Sequence, residues 1–370
     1  MGCFVALLLA ITINTQTDPL PHFTLATAAS PAQSPPPMPP INSGTAAWPL
    51  LWTDVPLHAD ALALLTPRVR LAGPNLPAGV AGPGEIAVAD AAIVGAQRNW
   101  DAVAFASAPR LKVVARTGIG YDNVDVPAAS AAGVCAINTP DAPTESTAEF
   151  ALALMFAVAR RVATADHNSK AGVWKLDPSV MGFDLSGKTL GLVGFGRIAR
   201  RVTEMARAIR MQVRTFDPMV SADAIVAAGA TPCASLDELL RDARVLSLHA
   251  PLTPTTRKLI GSAQLALLPA GAILINTARG PLIDDAAVLA ALETGHLAGA
   301  GIDVWEREPV AADHPLFRHA RVVATPHMAA YTDEGRRRSH VAAAEGVLAV
   351  LRGERSQLLI DSTMWERRRC

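Results

Sequence analysis

The chain has few of the features that mark disulfide-rich, metal-binding or nucleic-acid-binding proteins. Its four cysteines, Cys3, Cys135, Cys233 and Cys370, form no C-x-x-C pair and have no histidine partner at metal-ligand spacing, so neither a zinc site nor a disulfide framework is indicated. The formal net charge is zero, and basic residues are scattered among acidic ones, which does not indicate a nucleic-acid or membrane surface. We expect no metal, nucleic-acid or membrane partner, and a reducing, cytoplasmic location.

The N-terminal region lacks the features of a transmembrane helix or a secretory signal. The apolar run at 3–12 is too short to span a bilayer and follows no basic segment, although A-T-A at 26–28 resembles a cleavage site. A proline-rich stretch over residues 30–43 favours extended, unpacked chain. We expect residues 1–45 to be a disordered or mis-assigned extension, with a true signal sequence as the alternative.

What the chain does contain, at 190–199, is the sequence L-G-L-V-G-F-G-R-I-A. An apolar strand is expected to end at Val193, and Gly194 and Gly196 to form a tight turn in which Gly196 lets the backbone approach a pyrophosphate. Ala199 occupies the third position of this G-x-G-x-x-A pattern, where a small residue permits close packing of helix on strand. The unbonded N–H groups of the new helix would face the phosphates.

A second strand completes the predicted nucleotide site. Val213–Phe216 delivers Asp217, about 20 residues beyond the turn, where an acid can accept hydrogen bonds from an adenosine ribose. The glycine pattern alone is weak evidence in an alanine-rich chain. Together with a strand, a helix, a second strand and an acid, it predicts a dinucleotide site with NAD as the cofactor.

Short apolar runs alternate with helical segments along most of the 370 residues, which are enough for about two domains. This pattern predicts an α/β fold, with a doubly wound parallel sheet after a smaller first lobe. Ser235 and Glu238 predict a capping box. The expected helices are Thr147–Arg161, Asp284–Glu293 and Glu334–Leu351, the last returning to the first lobe. The other expected strands are Trp48–Trp52, Val69–Ala72, Ala91–Gly95, Leu111–Ala115, Val245–Leu248, Ile273–Asn276, Gly299–Asp303 and Arg321–Ala324.

Three candidate catalytic residues follow three of these strands. Arg279 lies in N-T-A-R-G, Glu308 in D-V-W-E-R-E-P and His327 in T-P-H. An arginine can hold a 2-keto acid through its carboxylate and carbonyl oxygens, and a histidine can donate a proton to the carbonyl oxygen as hydride arrives. A carboxylate beside a histidine raises the histidine pKa and fixes its tautomer. Each residue alone is more often structural or solvent-exposed, but the set indicates a catalytic group.

Ordered motifs between roughly Ala91 and Leu351 resemble those of the D-isomer-specific 2-hydroxyacid dehydrogenase family. The resemblance implies that Arg279, Glu308 and His327 are catalytic. The motifs are R-T-G-I-G-Y-D-N-V-D at 116–125, N-T-P-D-A-P-T-E-S-T-A-E at 138–149, G-V-W-K at 172–175, L-S-G-K-T-L-G-L-V-G-F-G-R-I-A at 185–199, L-H-A-P-L-T-P-T-T at 248–256, N-T-A-R-G-P-L-I-D at 276–284, G-I-D-V-W-E-R-E-P at 301–309 and T-P-H-M-A-A at 325–330.

The resemblance also implies the other site residues. Ile119 and Gly120 match backbone donors to the substrate carboxylate. The chain departs from the family pattern at Ala199, in its N-terminal extension and in the lack of a regulatory domain after Leu351. None of these departures involves a residue expected to take part in the reaction. The residues that match cofactor contacts are Gly194, Gly196, Arg197, Ile198, Asp217, Ala250, Thr277, Ala278 and Asp303, of which Asp303 would reach the carboxamide.

The family's fold places a continuous NAD-binding domain within a split substrate domain, and its members lead us to expect a homodimer. For this chain it implies a substrate-binding domain formed by residues 46–148 and 331–361. The NAD-binding domain would be residues 149–330, and residues 362–370 would form a polar, arginine-rich tail.

Other prominent residues are expected to have supporting roles. His249 is equally consistent with a cofactor contact and with a hydrogen-bonded loop residue. Trp174 and Trp305 are expected to pack rather than touch substrate. Asp122 is expected to hold the turn of the substrate loop by bonding its own backbone.

Two functions remain open from the sequence. One is an NAD-dependent dehydrogenase or reductase of a small 2-hydroxy or 2-keto acid, and the other is an NAD-sensing binding protein of the corepressor type, which can keep the catalytic residues. The substrate is less defined. Only Arg98 is a clear cation near the end of the strand Ala91–Gly95, so a phosphorylated acid is not favoured over glyoxylate or hydroxypyruvate.

Overall fold

A computed structural model describes residues 48–75 and 86–369 of the chain. The extension expected over residues 1–45 lies outside the described residues. Two parallel sheets, of five and seven strands, form the framework and confirm the predicted class of two Rossmann-like α/β lobes. In the described ranges, no helix is long and apolar enough to cross a membrane.

The first sheet is built from the N-terminal part of the described chain. Three of its strands, at 50–53, 91–94 and 135–138, are buried along their whole length, because helices cover both faces and the strand residues are mostly apolar. The strands are β1 (Leu50–Thr53), β2 (Arg70–Ala72), β3 (Ala91–Val94), β4 (Val113–Arg116) and β5 (Cys135–Asn138), in the order β2-β1-β3-β4-β5. The connecting helices are α1 (Ala59–Leu65), α2 (Ala102–Ala106) and α3 (Val126–Ala131).

A long apolar helix, α4 (Thr144–Ala159), leads from the first sheet to the second and is followed by α5 (Val162–Lys170). Its buried face packs on the second sheet, with Leu154 and Val158 in the core. Glycine at 301 permits this approach, because a Cβ there would lie 3.0 Å from the Leu154 Cβ. The helix is therefore part of the layer that supports the second sheet.

The second sheet has the strand order β12-β11-β10-β9-β6-β7-β8. The order reverses around β6, which pairs with both β7 and β9, so a crevice opens at the carboxyl ends of these strands. The strands are β6 (Thr189–Val193), β7 (Gln212–Phe216), β8 (Thr231–Pro232), β9 (Val245–Leu248), β10 (Ala272–Asn276), β11 (Leu297–Ile302) and β12 (Val322–Ala324). The helices are α6 (Arg197–Ala208), α7 (Ala222–Ala227), α8 (Leu236–Asp242), α9 (Ser262–Leu267), α10 (Asp285–Glu293) and α11 (Pro315–Arg318).

Helix α12 (Asp333–Leu351) returns to the first sheet, where Ala344 and Val347 join its core. Near the start of α12, two hydroxyl pairs tie the returning chain to the outgoing chain. Their members are Thr139 with Ser339, at 2.7 Å between the hydroxyl oxygens, and Ser146 with Thr332, at 2.8 Å.

The segment expected to be a tail packs on the first lobe as far as residue 369. It forms the short helix α13 (Met364–Arg367), whose Met364 side chain is buried in a core shared with the first sheet. The Arg369 N–H donates to the Gly133 carbonyl oxygen at 2.7 Å. Cys370 lies outside the described residues.

Most expected strands and helices are present within a few residues, and β9 has the expected bounds. Strand β5 was not expected, because C-A-I-N is short and shows no alternation. The predicted capping box is only partly present. The Ser235 hydroxyl accepts from the Glu238 N–H at 3.2 Å, but the Glu238 carboxylate accepts from the Ala234 N–H at 2.9 Å rather than from Ser235.

Candidate functional site

The predicted glycine turn connects β6 to α6. Gly194 has a φ of +90°, and a Cβ there would lie 2.8 Å from the Ala250 backbone nitrogen. Both the backbone conformation and the close contact therefore require glycine at this position. A Cβ on Gly196 would face open space. The N-terminal N–H groups of α6 have no side-chain cap, and Ala199 is fully buried beneath them. The turn therefore presents unbonded donors to open space, as a pyrophosphate requires.

Asp217 lies at the end of β7, beside the glycine turn. Its carboxylate accepts from the Phe195 N–H at 2.7 Å and from the Met219 N–H at 2.8 Å. A carboxylate has about four acceptor positions, so both oxygens keep capacity for ribose hydroxyls. Arg214, on the same strand, forms ion pairs with Glu238 and Asp242 instead of turning towards this site.

The other predicted cofactor residues occupy the same edge of the sheet. Arg197 and Ile198 open α6, and the Arg197 guanidinium pairs with Asp141 before α4. Thr277 follows β10, and its buried hydroxyl has no hydrogen-bond partner among the described residues. The Ala278 N–H donates to the Asn276 side chain at 3.1 Å. An unpartnered buried hydroxyl at this position fits a polar group of a bound cofactor.

Asp303 is fully buried at the end of β11 and supports the loop that carries His327. Its carboxylate accepts from the Thr325 hydroxyl at 2.6 Å and from the Met328 and Ala329 N–H groups, both at 2.9 Å. Its own carbonyl oxygen accepts the His327 N–H at 2.7 Å. A contact between Asp303 and the carboxamide stays a prediction.

His327 and Glu308 are directly hydrogen-bonded, with 2.7 Å between Nδ1 and Oε2. The second Glu308 oxygen accepts from the Trp305 N–H at 3.0 Å. Burial raises the pKa of the Glu308 carboxyl, but the hydrogen bond and charge of His327, the Trp305 N–H and the charge of Arg279 together hold this pKa below its usual value. With Nδ1 turned to Glu308, Nε2 is the nitrogen left for a substrate.

Arg279 is held by its own loop and by the first lobe. Its Nε and Nη2 donate to the Asp122 carboxylate at 3.0 and 2.9 Å, and its Nη1 donates to the Ala278 carbonyl oxygen at 2.7 Å. These bonds use three of the five N–H donors of a guanidinium, which leaves one on each terminal nitrogen. The side chain is thus fixed while keeping a pair of donors for an anion.

The sequence did not anticipate the main partner of Asp122. Its carboxylate binds Arg279 across the cleft, although a bond to its own backbone contributes too. Burial raises the pKa of the Asp122 carboxyl, but the hydrogen bond and charge of Arg279 outweigh burial and lower this pKa. Two residues 157 positions apart in the sequence form this pair, so no local pattern could have indicated it.

Ile119 and Gly120 lie in the loop after β4, in contact with Arg279. A Cβ on Gly120 would overlap the Arg279 Nη2 atom. The Asn138 side chain donates to the Ile119 carbonyl oxygen at 2.8 Å. The N–H groups of Ile119 and Gly120 donate to no acceptor within residues 48–75 and 86–369. The structure therefore places these predicted carboxylate donors beside Arg279.

Arg116 was missed at the sequence level. It ends β4 beneath the substrate loop, and its Nε has no partner among residues that the structure describes. Burial and the neighbouring charge of Arg279 lower the pKa of Arg116 to about 10, so it stays charged at neutral pH. Arg98, the cation that was anticipated, lies over the rings of Trp52 and Trp100, at 5.4 and 5.3 Å from the ring centres.

Of the three remaining candidates, His249 and Trp305 have structural contacts and Trp174 is exposed. The His249 Nε2 lies 2.9 Å from the Ser247 hydroxyl, and burial lowers the pKa of His249 to about 4, so it is neutral at pH 7. This bond agrees with the loop role rather than a charged cofactor contact. Trp305 is buried, whereas Trp174 is 93% exposed and does not pack as expected.

The chain is similar to known proteins of one family. The family model described as "D-isomer specific 2-hydroxyacid dehydrogenase, NAD binding domain" matches residues 152–329. A glyoxylate reductase of Korarchaeum cryptofilum is 42% identical over 257 residues, which are 69% of this chain and 77% of that protein. A D-3-phosphoglycerate dehydrogenase of Mycobacterium leprae is 43% identical over 266 residues, 72% of this chain and 50% of that protein, so the chain spans half the length of this relative.

Solved structures show the same fold. A crystal structure of a protein from Thermus thermophilus has a TM-score of 0.76 at 36% identity and covers 84% of this chain and 100% of that one. A D-lactate dehydrogenase from Aquifex aeolicus, complexed with NAD and lactic acid, has a TM-score of 0.71 at 28% identity, covering 82% of this chain and 96% of that one.

Proposed function

Because the chain belongs to the D-isomer-specific 2-hydroxyacid dehydrogenase family, we propose that Arg279, Glu308 and His327 carry out the reduction of a small 2-keto acid and its reverse. The protein is an NAD-dependent oxidoreductase. The observation that carries the proposal is the 2.7 Å hydrogen bond between His327 and Glu308. Arg279 lies close enough to this pair for the guanidinium charge to act on Glu308. The corepressor alternative is not favoured, because the relatives compared are reductases and dehydrogenases.

The residues at the glycine turn suit NAD. The uncapped start of α6 beside Gly196 would hold the pyrophosphate, and Asp217 would accept hydrogen bonds from the adenosine ribose. The unpartnered Thr277 hydroxyl would bond the cofactor further along the crevice. When bound, the reduced cofactor supplies the hydride.

The chain's own residues would bind the acid and supply the proton. The free N–H groups of Ile119 and Gly120 and the terminal edge of Arg279 would hold the carboxylate and polarise the carbonyl. His327 Nε2 would donate a proton to the carbonyl oxygen during reduction, while Glu308 keeps Nδ1 bonded and the ring oriented. In the reverse direction the same nitrogen would accept the hydroxyl proton.

Turnover of NADH with a panel of 2-keto acids tests this proposal. Arg279→Ala should cost about 3 kcal/mol or more in kcat/KM, over 100-fold, because it removes both anchoring and polarisation. His327→Asn should lower kcat and leave the Kd of NADH unchanged. Arg307→Ala, an exposed change in the same loop as Glu308, is the matched control. Near-normal turnover of either active-site variant would contradict the assignment.

A wild-type protein that binds NADH but reduces none of the acids would instead support the corepressor alternative. Fluorescence titration with NADH separates that result from a protein that has lost its fold. Binding without turnover would therefore reject the proposed reaction while keeping the proposed cofactor site.

The charges around the substrate loop support a small acid with one carboxylate. Three guanidinium groups and two carboxylates act on one another there, a net charge of plus one among the described side chains. We expect kcat/KM for glyoxylate or hydroxypyruvate to exceed that for phosphohydroxypyruvate by about 10-fold. The reverse order would contradict this substrate class. The groups counted are Arg98, Arg116, Arg279, Asp54 and Asp122.

A homodimer is the proposed assembly. Residues 173–181 expose large apolar side chains, among them Trp174 and Leu176 at 93% and 96%, and such patches mark interaction surfaces. Light scattering should give twice the chain mass, and the double change Trp174→Ser with Leu176→Ser should halve it. Val103→Ser, an exposed apolar position on α2, is the control. A monomeric wild type, or a dimeric double variant, would contradict the proposal.

We also propose a cytoplasmic location, because the reaction depends on a supply of NAD and NADH. The buried thiols of Cys135 and Cys233 are unpaired in the described structure, in keeping with a reducing compartment. Fractionation of cells that make the protein is the test, and recovery in the secreted fraction would contradict it.

A further inference from the structure

Trp305 lies where the loops that carry the three proposed catalytic residues meet. Its side chain is 5% exposed, and it follows β11 shortly after Asp303. Burial agrees with the packing role expected from the sequence. Its contacts go beyond packing, because each one reaches a different catalytic loop.

The first two contacts are hydrogen bonds. The Trp305 backbone N–H donates to Glu308 Oε1 at 3.0 Å, and the indole N–H donates to the Thr325 carbonyl oxygen, also at 3.0 Å. Thr325 lies two residues before His327 and bonds Asp303 through its hydroxyl. A single residue is therefore bonded to the loops of both members of the Glu308–His327 pair.

The third contact reaches the Arg279 loop. A Cβ on Gly280 would overlap the Trp305 backbone carbonyl group, so Gly280 packs directly against it. Arg279 immediately precedes Gly280. The Trp305 backbone thus fixes the spacing between the Arg279 loop and the Glu308 loop.

The indole ring is also held from its outer side. The rings of His314 and Phe317 meet it edge-on, each with 5.6 Å between ring centres. The His314 Nε2 lies 3.3 Å from the Asp285 carboxylate at the start of α10. Because this stack holds the ring, the indole N–H is directed at one carbonyl oxygen.

We propose that Trp305 is a positioning residue that aligns the Glu308–His327 pair with Arg279 through its indole N–H. The proposal rests on the proposed function. Among the described residues, the Trp305 side chain donates only to Thr325 and forms no hydrogen bond with Ile119, Gly120 or the glycine turn of the cofactor site. Loss of the indole bond releases the Thr325 carbonyl group and lets the His327 loop shift. Displacements of about 1 Å can lower a rate about 100-fold.

Trp305→Phe is the test, because phenylalanine keeps a ring in the stack and removes the donor. We expect kcat for keto-acid reduction to fall about 10- to 100-fold, while KM for the acid and the Kd of NADH stay within about twofold. This split between kcat and KM is the diagnostic readout, because a displaced His327 loop slows proton transfer without weakening capture of the acid.

Two controls separate positioning from stability. Trp100→Phe removes a buried indole N–H that has no described partner, and it should leave kcat unchanged. Phe105→Leu removes one ring of a buried ring pair in the first lobe, 5.8 Å from the Trp100 ring centre, and it should lower Tm while leaving kcat unchanged.

The outcomes are distinguishable. A wild-type kcat in Trp305→Phe would overturn the inference, as would a fall in kcat with an equally large rise in KM or a protein that fails to fold, since positioning predicts a folded but slow enzyme. An equal fall of kcat in Phe105→Leu would also overturn it, because a general loss of stability would then explain the result. If the wild type reduces no 2-keto acid, the proposed function fails first, before any variant is compared.

Discussion

Replacing Asp122 by asparagine should weaken substrate capture without altering a group that reacts. The carboxylate accepts both Nε–H and Nη2–H of Arg279 at about 3 Å. Asparagine can keep Oδ1, which accepts both bonds, but it loses the negative charge and sets its NH₂ group against the Nε–H that Oδ2 accepts at 3.3 Å. The positive charge of Arg116, which already opposes that of Arg279, would then weaken the hold on the guanidinium.

The expected loss of binding free energy in Asp122→Asn follows from the type of hydrogen bond and from the solvent exposure of the Asp122 side chain. Hydrogen bonds to charged groups contribute about 1.5 to 3 kcal/mol. The Asp122 side chain is 53% exposed, so solvent screening reduces this contribution. We expect a loss of about 1 to 2 kcal/mol in transition-state binding, or roughly 5- to 30-fold in kcat/KM.

The pH dependence of this loss has a defined sign. The pKa of the Asp122 carboxyl lies below its ordinary value of 3.8, because Arg279 outweighs burial. A carboxyl group whose pKa is depressed in the folded protein makes its full stabilising contribution at pH values above its ordinary pKa. It loses that contribution as the pH falls through the folded-state pKa. The difference between wild type and Asp122→Asn should be complete at neutral pH and shrink only below about pH 4.

The assay is kcat/KM with the best keto acid at pH 7. Asp125→Asn is the matched control, because Asp125 is nearby in the same segment and caps α3 through the Ala128 N–H at 2.9 Å, a bond that asparagine can keep. If Asp122→Asn stays within twofold of wild type, or if Asp125→Asn loses as much, the reasoning about the Arg279 contact is refuted.

Three other outcomes are expected. The enzyme should prefer NADH to NADPH by about 30- to 1000-fold in kcat/KM, because Asp217 would repel a 2′-phosphate and Arg214 is held in other ion pairs; equal values would mean that Asp217 does not face the ribose. A chain starting at Ala46 should keep its activity and Tm, since a proline-rich extension has little apolar surface to offset ordering costs of about 1 to 2 kcal/mol per residue; a fall of many degrees would disprove this. Gly194→Ala should lower Tm and NADH affinity more than Gly187→Ala, which has a positive φ but faces open space; equal effects would contradict the close approach at the turn.

The sequence predicted features that depend on local order along the chain. The glycine turn, Asp217 and the strand-end positions of Arg279, Glu308 and His327 follow from alternating strands and helices, because parallel strands end at one edge of a sheet. Strand β5 was not predicted, because four residues without alternation of apolar and polar side chains give too weak a signal.

Contacts between distant segments were not predictable in the same way. The partner of Asp122 lies in the other lobe, and the burial of Arg116 depends on how the substrate loop folds over β4. The indole bond of Trp305 depends on the path of the loop after β12. A single sequence identifies these residues, but it does not show which distant segments come into contact in the folded protein.

The two hydroxyl pairs near the start of α12 differ in kind from the contact at the cleft. Thr139 with Ser339, and Ser146 with Thr332, are neutral groups, whereas Asp122 and Arg279 attract each other as ions. Added salt screens only the ionic contact. Raising the ionic strength should therefore weaken the contact between Asp122 and Arg279 more than the two hydroxyl pairs, so the substrate side of this protein should respond to salt more strongly than those pairs do.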